Sequence, residues 1–118
     1  MENHIFIYNE IGQFGNTPDA IQGQINKIPE ADTLVVHLSS PGGEVFTGWT
    51  IGNLLKASPK KVIVIIEGLC ASIATYIAMQ ADEIHMAETA RFMIHNPAIG
   101  IQGEEKDLKA AAGQLASI

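Results

Sequence analysis

Val62-Ile63-Val64-Ile65-Ile66-Glu67-Gly68-Leu69-Cys70-Ala71-Ser72-Ile73-Ala74 runs from the most apolar segment of the chain into an alanine-rich one. Five consecutive Val or Ile residues predict a buried strand over Lys61 to Glu67, since branched side chains suit a pleated surface and the run is too short for a helix. Ser72 to Gln80 is small or apolar nearly all round, which predicts a helix buried at the centre of the fold. Ser72 stands in the joint, with the small residues Cys70 and Ala74 two positions to either side. A serine hydroxyl at a helix head lies in the positive end of the dipole, beside N–H groups able to stabilise an oxyanion. Taken alone, such a serine reads first as a helix cap.

Working outward, short strands are expected at His4 to Tyr8, Thr33 to Leu38, Glu83 to Met86 and Arg91 to His95. Thr33 to Leu38 reads as buried on both faces. Thr17-Pro18-Asp19 starts a helix by capping, a preset φ and a favourable charge, and Ile21, Ile25 and Ile28 give it one buried face. Glu44 to Ser58 is a second helix, with Val45, Trp49 and Leu55 on one side. Pro97 to Gly103, with two glycines, reads as a mobile loop, and Asp107 to Ile118 as a last helix. Strands alternating with helices over short connections imply an α/β fold of βαβ units, a mainly parallel sheet covered by helices. Ligands of such sheets bind beyond the carboxyl ends of the strands, where Gly42, Gly43, Gly68, Ser72 and His95 all fall.

The 118 residues fit one domain, and 47% hydrophobic against 17% charged residues describe an ordered, core-rich chain. A net charge of −6, with no basic cluster beyond Lys60-Lys61, disfavours nucleic acid and anionic membranes as partners. The single cysteine, Cys70, leaves no internal disulfide and reads as a small buried filler, in keeping with a reducing cytoplasm. No signal peptide and no membrane-spanning run is visible. His4, His37 and His85 read as strand histidines bonded to backbone, and Asp82 and Glu83 as a solvated turn. Glu67 is the one carboxylate near the joint.

Three short motifs carry the chemistry: Ser40-Pro41-Gly42-Gly43, Ala71-Ser72 after Gly68, and Met93-Ile94-His95-Asn96-Pro97. In this order and spacing the chain resembles the Clp-type serine proteases, ClpP and its phage and prophage relatives, from the first strand to the last helix. The resemblance implies a ClpP/crotonase-like fold, with 1–118 a single protease domain short of its C-terminal part. It implies Ser72 as nucleophile, His95 as general base, and an oxyanion hole from the N–H of Ile73 and of Gly42 or Gly43, with Gly43 favoured. It also implies a polypeptide substrate, a homo-oligomeric ring, and an ATP-driven unfoldase or phage capsid or scaffold proteins as partners. No cofactor and no metal is called for. Glu44-Val45-Phe46 and Asn96 look more like the phage branch, whose members mature proheads.

The family's triad acid lies beyond residue 118, so the 118 residues by themselves are expected to be weak or inactive as a peptidase. Two alternatives stand beside the peptidase: a crotonase-like acyl-CoA enzyme, which shares the fold and stabilises an enolate without a serine, and a catalytically inactive ring-forming structural subunit.

Overall fold

Alternation along the first three strands decides how the layers form. On β1 (His4–Tyr8) Ile5 and Ile7 are fully buried while Phe6 and Tyr8 are exposed. On β2 (Thr33–Ser40) and β3 (Lys61–Ala71) one side, led by Leu34, Val36, Leu38, Val64 and Ile66, is fully buried, and the other is half-buried. A computed structural model describes residues 3–28, 32–96 and 99–103, with 95, 96 and 99–103 given by their backbone. The intervening elements are α1 (Pro18–Asn26), α2 (Val45–Lys56) and α3 (Ile73–Met79), followed by β4 (Glu83–Met86), β5 (Arg91–Asn96) and β6 (Ile99–Gly103).

The sheet order is β1-β2-β3-β5-β6, with β4 also on β3, and every pairing except the antiparallel β5–β6 is parallel. The mainly parallel α/β architecture expected from the alternating pattern is therefore present. β4 and β5 pair with successive parts of β3, residues 63–66 and 69–71. Asp82, expected in a solvated turn, accepts a hydrogen bond from Val62 N–H at 2.8 Å and ties the β4 entrance to the start of β3.

Thr17 caps α1 by accepting from Ala20 N–H at 3.2 Å, with Pro18 and Asp19 in the first turn, as its sequence requires. Ile21 is fully buried, and Ile25 and Ile28 pack against the same core. Three expectations are corrected. β2 is buried on one face, because Val35 and His37 alternate with the core positions. Residues 99–103 form a strand, since the free edge of β5 supplies a ladder from Phe92↔Gly103 to Asn96↔Ile99 that outweighs the two glycines. On α2 the inward face is Gly48, Ile51, Gly52 and Leu55, whereas Val45 and Trp49 are about half exposed. The glycines face inward because α2 lies so close to α3 that a Cβ on Gly48 would overlap the Ile73 side chain and one on Gly52 the Tyr76 ring. The helix expected over Asp107 to Ile118 lies outside the described residues.

The second sheet face holds a chain of polar groups in place of the expected backbone-bonded histidines. His4 Nδ1 and His37 Nε2 are 2.6 Å apart across β1 and β2, and the His37 ring stacks on Phe6 with centroids 4.7 Å apart. His37 Nδ1 lies 3.2 Å from Glu67 Oε1 on β3, out of line for a hydrogen bond, and the same carboxylate oxygen accepts from the Tyr8 hydroxyl. His85 pairs with Glu83 at 3.1 Å. Burial, then the charge of His37, holds His4 below the ordinary histidine range. The Tyr8 hydrogen bond, against the opposing effect of burial, holds Glu67 below the usual carboxylate range, with His37 adding to it.

Two measurements check these assignments. Ile51→Ala is expected to cost about 2–5 kcal/mol in urea unfolding by leaving a cavity, and Trp49→Ala clearly less; equal losses would contradict the orientation of α2. A depressed folded-state value for His4 means that its stabilisation is present above the unfolded histidine pKa of about 6.5 and is lost as pH falls through that region. Between pH 7.5 and 5.5 the protein therefore loses stability, and His4→Gln flattens that slope while raising no new dependence at higher pH.

Candidate active site

β3 ends where the backbone turns sharply. Ser72 joins β3 to α3 at φ 56° and ψ −131°, and among the described residues only Asn9 shares a positive φ without being glycine. Such a conformation costs a non-glycine residue about 1–3 kcal/mol and persists only where its surroundings hold it. Its N–H donates to the Met93 carbonyl at 3.1 Å, and its own carbonyl accepts from Thr75 N–H at 3.0 Å. The side chain makes no capping bond and the residue is exposed. The reading of Ser72 as a helix cap is thereby set aside.

The bend after β2 meets this joint. Gly42 and Gly43 have φ of 97° and 150°, where a side chain is strained. A Cβ on Gly42 would come within 2.7 Å of Ser72 Cβ and 2.8 Å of the Ala71 carbonyl, and one on Gly43 would overlap the Ile11 carbonyl. The bend is fixed from below by Ser40, only 1% exposed, whose Oγ accepts from Gly42 N–H at 3.1 Å. Ile11 fixes it from the side: its N–H donates to the Gly42 carbonyl at 2.9 Å, and its carbonyl accepts from Glu44 N–H at 3.0 Å. Sequence reasoning missed both supports. An apolar residue just past β1 and a serine before proline gave no signal beyond their position next to the diglycine.

Of the three expected oxyanion donors, Gly42 spends its N–H on Ser40. No acceptor for the N–H of Gly43 or of Ile73 is found among the described residues. Gly42 and Ile73 are brought together with Ser72: the position a Gly42 Cβ would take is 3.3 Å from Ile73 N. His95 is on β5, two residues past Met93, and pairs with Gly100 on β6. Since Ala71 is in register with Met93, that position lies just beyond the carboxyl end of β3. The imidazole itself is outside the described residues.

Two other groups are placed away from the chemistry. Cys70 is fully buried, and burial pushes its thiol far up, so it is a core filler and no nucleophile. Glu67 is taken by Tyr8 and His37 on the open sheet face. Among the described residues no group of three or more metal-ligating side chains occurs, and no helix is long and apolar enough to cross a membrane.

The chain is similar in sequence and in fold to known proteins. The ATP-dependent Clp protease proteolytic subunit of Porphyromonas gingivalis is 31% identical over 98% of this chain and 53% of its own length. Proteolytic subunit 3 of Rhodococcus jostii is 32% identical over 74% of this chain and 44% of its own. In three dimensions the ClpP1 N165D mutant from Listeria monocytogenes superposes with a TM-score of 0.72 at 27% identity, covering 93% of this chain and 63% of that one. The chain spans about half the length of the curated relatives it matches. A model of the Clp protease family matches residues 1–118, and the chain belongs to that family.

Proposed function

We propose that the protein is the proteolytic subunit of a Clp-type serine endopeptidase, with Ser72 as nucleophile and His95 as general base. The observation that carries this reading is the conformation of Ser72: strained, exposed, uncapped, and approached by the Gly42 backbone more closely than a side chain there would allow. The named activity of the relatives, proteolysis, supports the same reading over an acyl-CoA enzyme.

In this mechanism Ser72 Oγ attacks the carbonyl carbon of the scissile peptide while its proton passes to His95. The resulting oxyanion accepts from the N–H groups of Ile73 and Gly43. Collapse of the tetrahedral intermediate breaks the C–N bond, and His95 returns the proton to the departing amine. Water, deprotonated by the same imidazole, then hydrolyses the acyl ester and restores the serine. The triad acid is assigned to none of the 118 residues. Glu67, bonded by Tyr8 and paired with His37 on the open sheet face, is not placed to serve as that acid. The chain works as one subunit of a homo-oligomeric ring, and the exposed Phe14, Phe46 and Trp49 are apolar surface available for such contacts.

In the full-length protein, a fluorophosphonate probe is expected to label Ser72 covalently, and Ser72→Ala and His95→Ala each to lower peptide hydrolysis by at least about a thousandfold. Undiminished hydrolysis by Ser72→Ala would end the proposal. Gly42→Ala is expected to abolish labelling while the protein remains folded by circular dichroism, because its methyl group would collide with Ser72 Cβ and the Ala71 carbonyl and displace the turn.

A further inference from the structure

Only two polar side chains are buried among the described residues, and both serve the turn at Ser72. Ser40 holds the diglycine bend. The other, Thr75, is 7% exposed on α3 and donates its hydroxyl to the Ser72 carbonyl at 2.6 Å, beside the 3.0 Å bond from its own N–H. A threonine hydroxyl bonded to the carbonyl three residues back is common within helices. Here the carbonyl belongs to a residue outside the helical conformation, at φ 56° and ψ −131°, and to the residue read as nucleophile.

The peptide unit between Ser72 and Ile73 is planar and trans, so its carbonyl and its N–H point in opposite directions and turn together. Holding the oxygen fixes the direction of the Ile73 N–H. It also fixes ψ of Ser72, and with the Met93 bond to the Ser72 N–H it leaves that residue little freedom about either backbone torsion. On the far side of the same unit, the place of a Gly42 Cβ lies 3.3 Å from Ile73 N and 2.7 Å from Ser72 Cβ, and glycine keeps it empty.

We propose that Thr75 is a positioning residue for the peptidase reaction: its buried hydroxyl clamps the Ser72–Ile73 peptide unit, aiming the nucleophile and one oxyanion donor at the same substrate carbonyl. The inference rests on the serine-peptidase reading of Ser72. Thr75 touches no substrate; it acts through the peptide unit it holds. The chemical step therefore depends on it, and substrate binding does not.

The test uses the full-length protein, a fluorogenic peptide and a fluorophosphonate probe. Thr75→Val keeps the shape and removes the hydroxyl; Thr75→Ser keeps the hydroxyl and removes the methyl. Thr75→Val is expected to lower kcat and the rate of Ser72 labelling by about tenfold to a hundredfold, the scale of a small misplacement of reacting groups, with KM within about twofold. Thr75→Ser is expected to retain most of both. Should Thr75→Val fail to fold, Thr75→Ala and Thr75→Ser make the same comparison, and the serine variant is expected to be the active one. The proposal is overturned if the variants lacking the hydroxyl label Ser72 at the wild-type rate, if Thr75→Ser falls as far as they do, or if the loss appears in KM. Absence of wild-type labelling at Ser72, with hydrolysis undiminished in Ser72→Ala, removes the peptidase reading and this one with it.

Discussion

The close approach of the Gly42 backbone to Ser72 is the constraint on which the rest of the arrangement depends. A side chain at residue 42 would collide with Ser72 Cβ and the Ala71 carbonyl, so the two loops meet only because one of them is glycine. The contact puts the end of β2 against the end of β3. It also explains why β2 continues to Ser40, which pairs with Cys70 after an irregularity past Leu38. The shift in register absorbs the mismatch between a regular ladder and two chain reversals side by side. Ile11, bonded both to Gly42 and to Glu44, extends the same support to the segment leaving β1.

The strain at Ser72 is tolerable because what surrounds it is rigid. Ala74, Ile77 and Ala78 are fully buried, and α3 lies against α2 at glycine-to-side-chain distance. In a packed interior, side chains have few alternative arrangements, so the turn has nowhere to relax. Gly48 has a particular part in this, since it accommodates the side chain of Ile73, the first residue after the turn. Helix packing and the turn meet at that one residue: its side chain is wedged against Gly48 of α2 while its backbone nitrogen lies beside the Gly42 bend.

Much of this was legible in the residues themselves. The Val-Ile run, the capped start at Thr17-Pro18-Asp19 and the small residues around Ser72 each act locally, and the strand at His4 to Tyr8 has the expected limits. What escaped sequence reading was non-local. The inward face of α2 is built on Gly48 and Gly52, which carry no hydrophobic signal, so the larger Val45 and Trp49 drew the assignment to the wrong side. β6 forms because a neighbouring edge is available, which no property of Gly100 or Gly103 announces. The partners of His4 and His37 depend on the register of β1 against β2, which pairs Phe6 with His37. At the candidate site the serine, the histidine and the glycines were legible as motifs. Their supports, Ser40, Ile11 and Thr75, were not, because each is an ordinary residue made specific only by what it touches.

The two faces of the sheet follow different rules, and the difference separates stability from chemistry. The helix-covered face is apolar and holds its shape by packing. The open face carries a polar chain, Tyr8 to Glu67 to His37 to His4, whose links depend on protonation. Burial and the neighbouring His37 disfavour the charged form of His4, so this face responds to acid. The Ser72 turn is anchored through backbone groups and neutral hydroxyls that do not titrate in the same range. Acid therefore acts on the scaffold at β1 and β2, while the bonds that hold the turn from Met93, Thr75 and Ser40 keep their form. The backbone geometry at Ser72 is thus held by groups of fixed charge, while the polar chain of the open face is not.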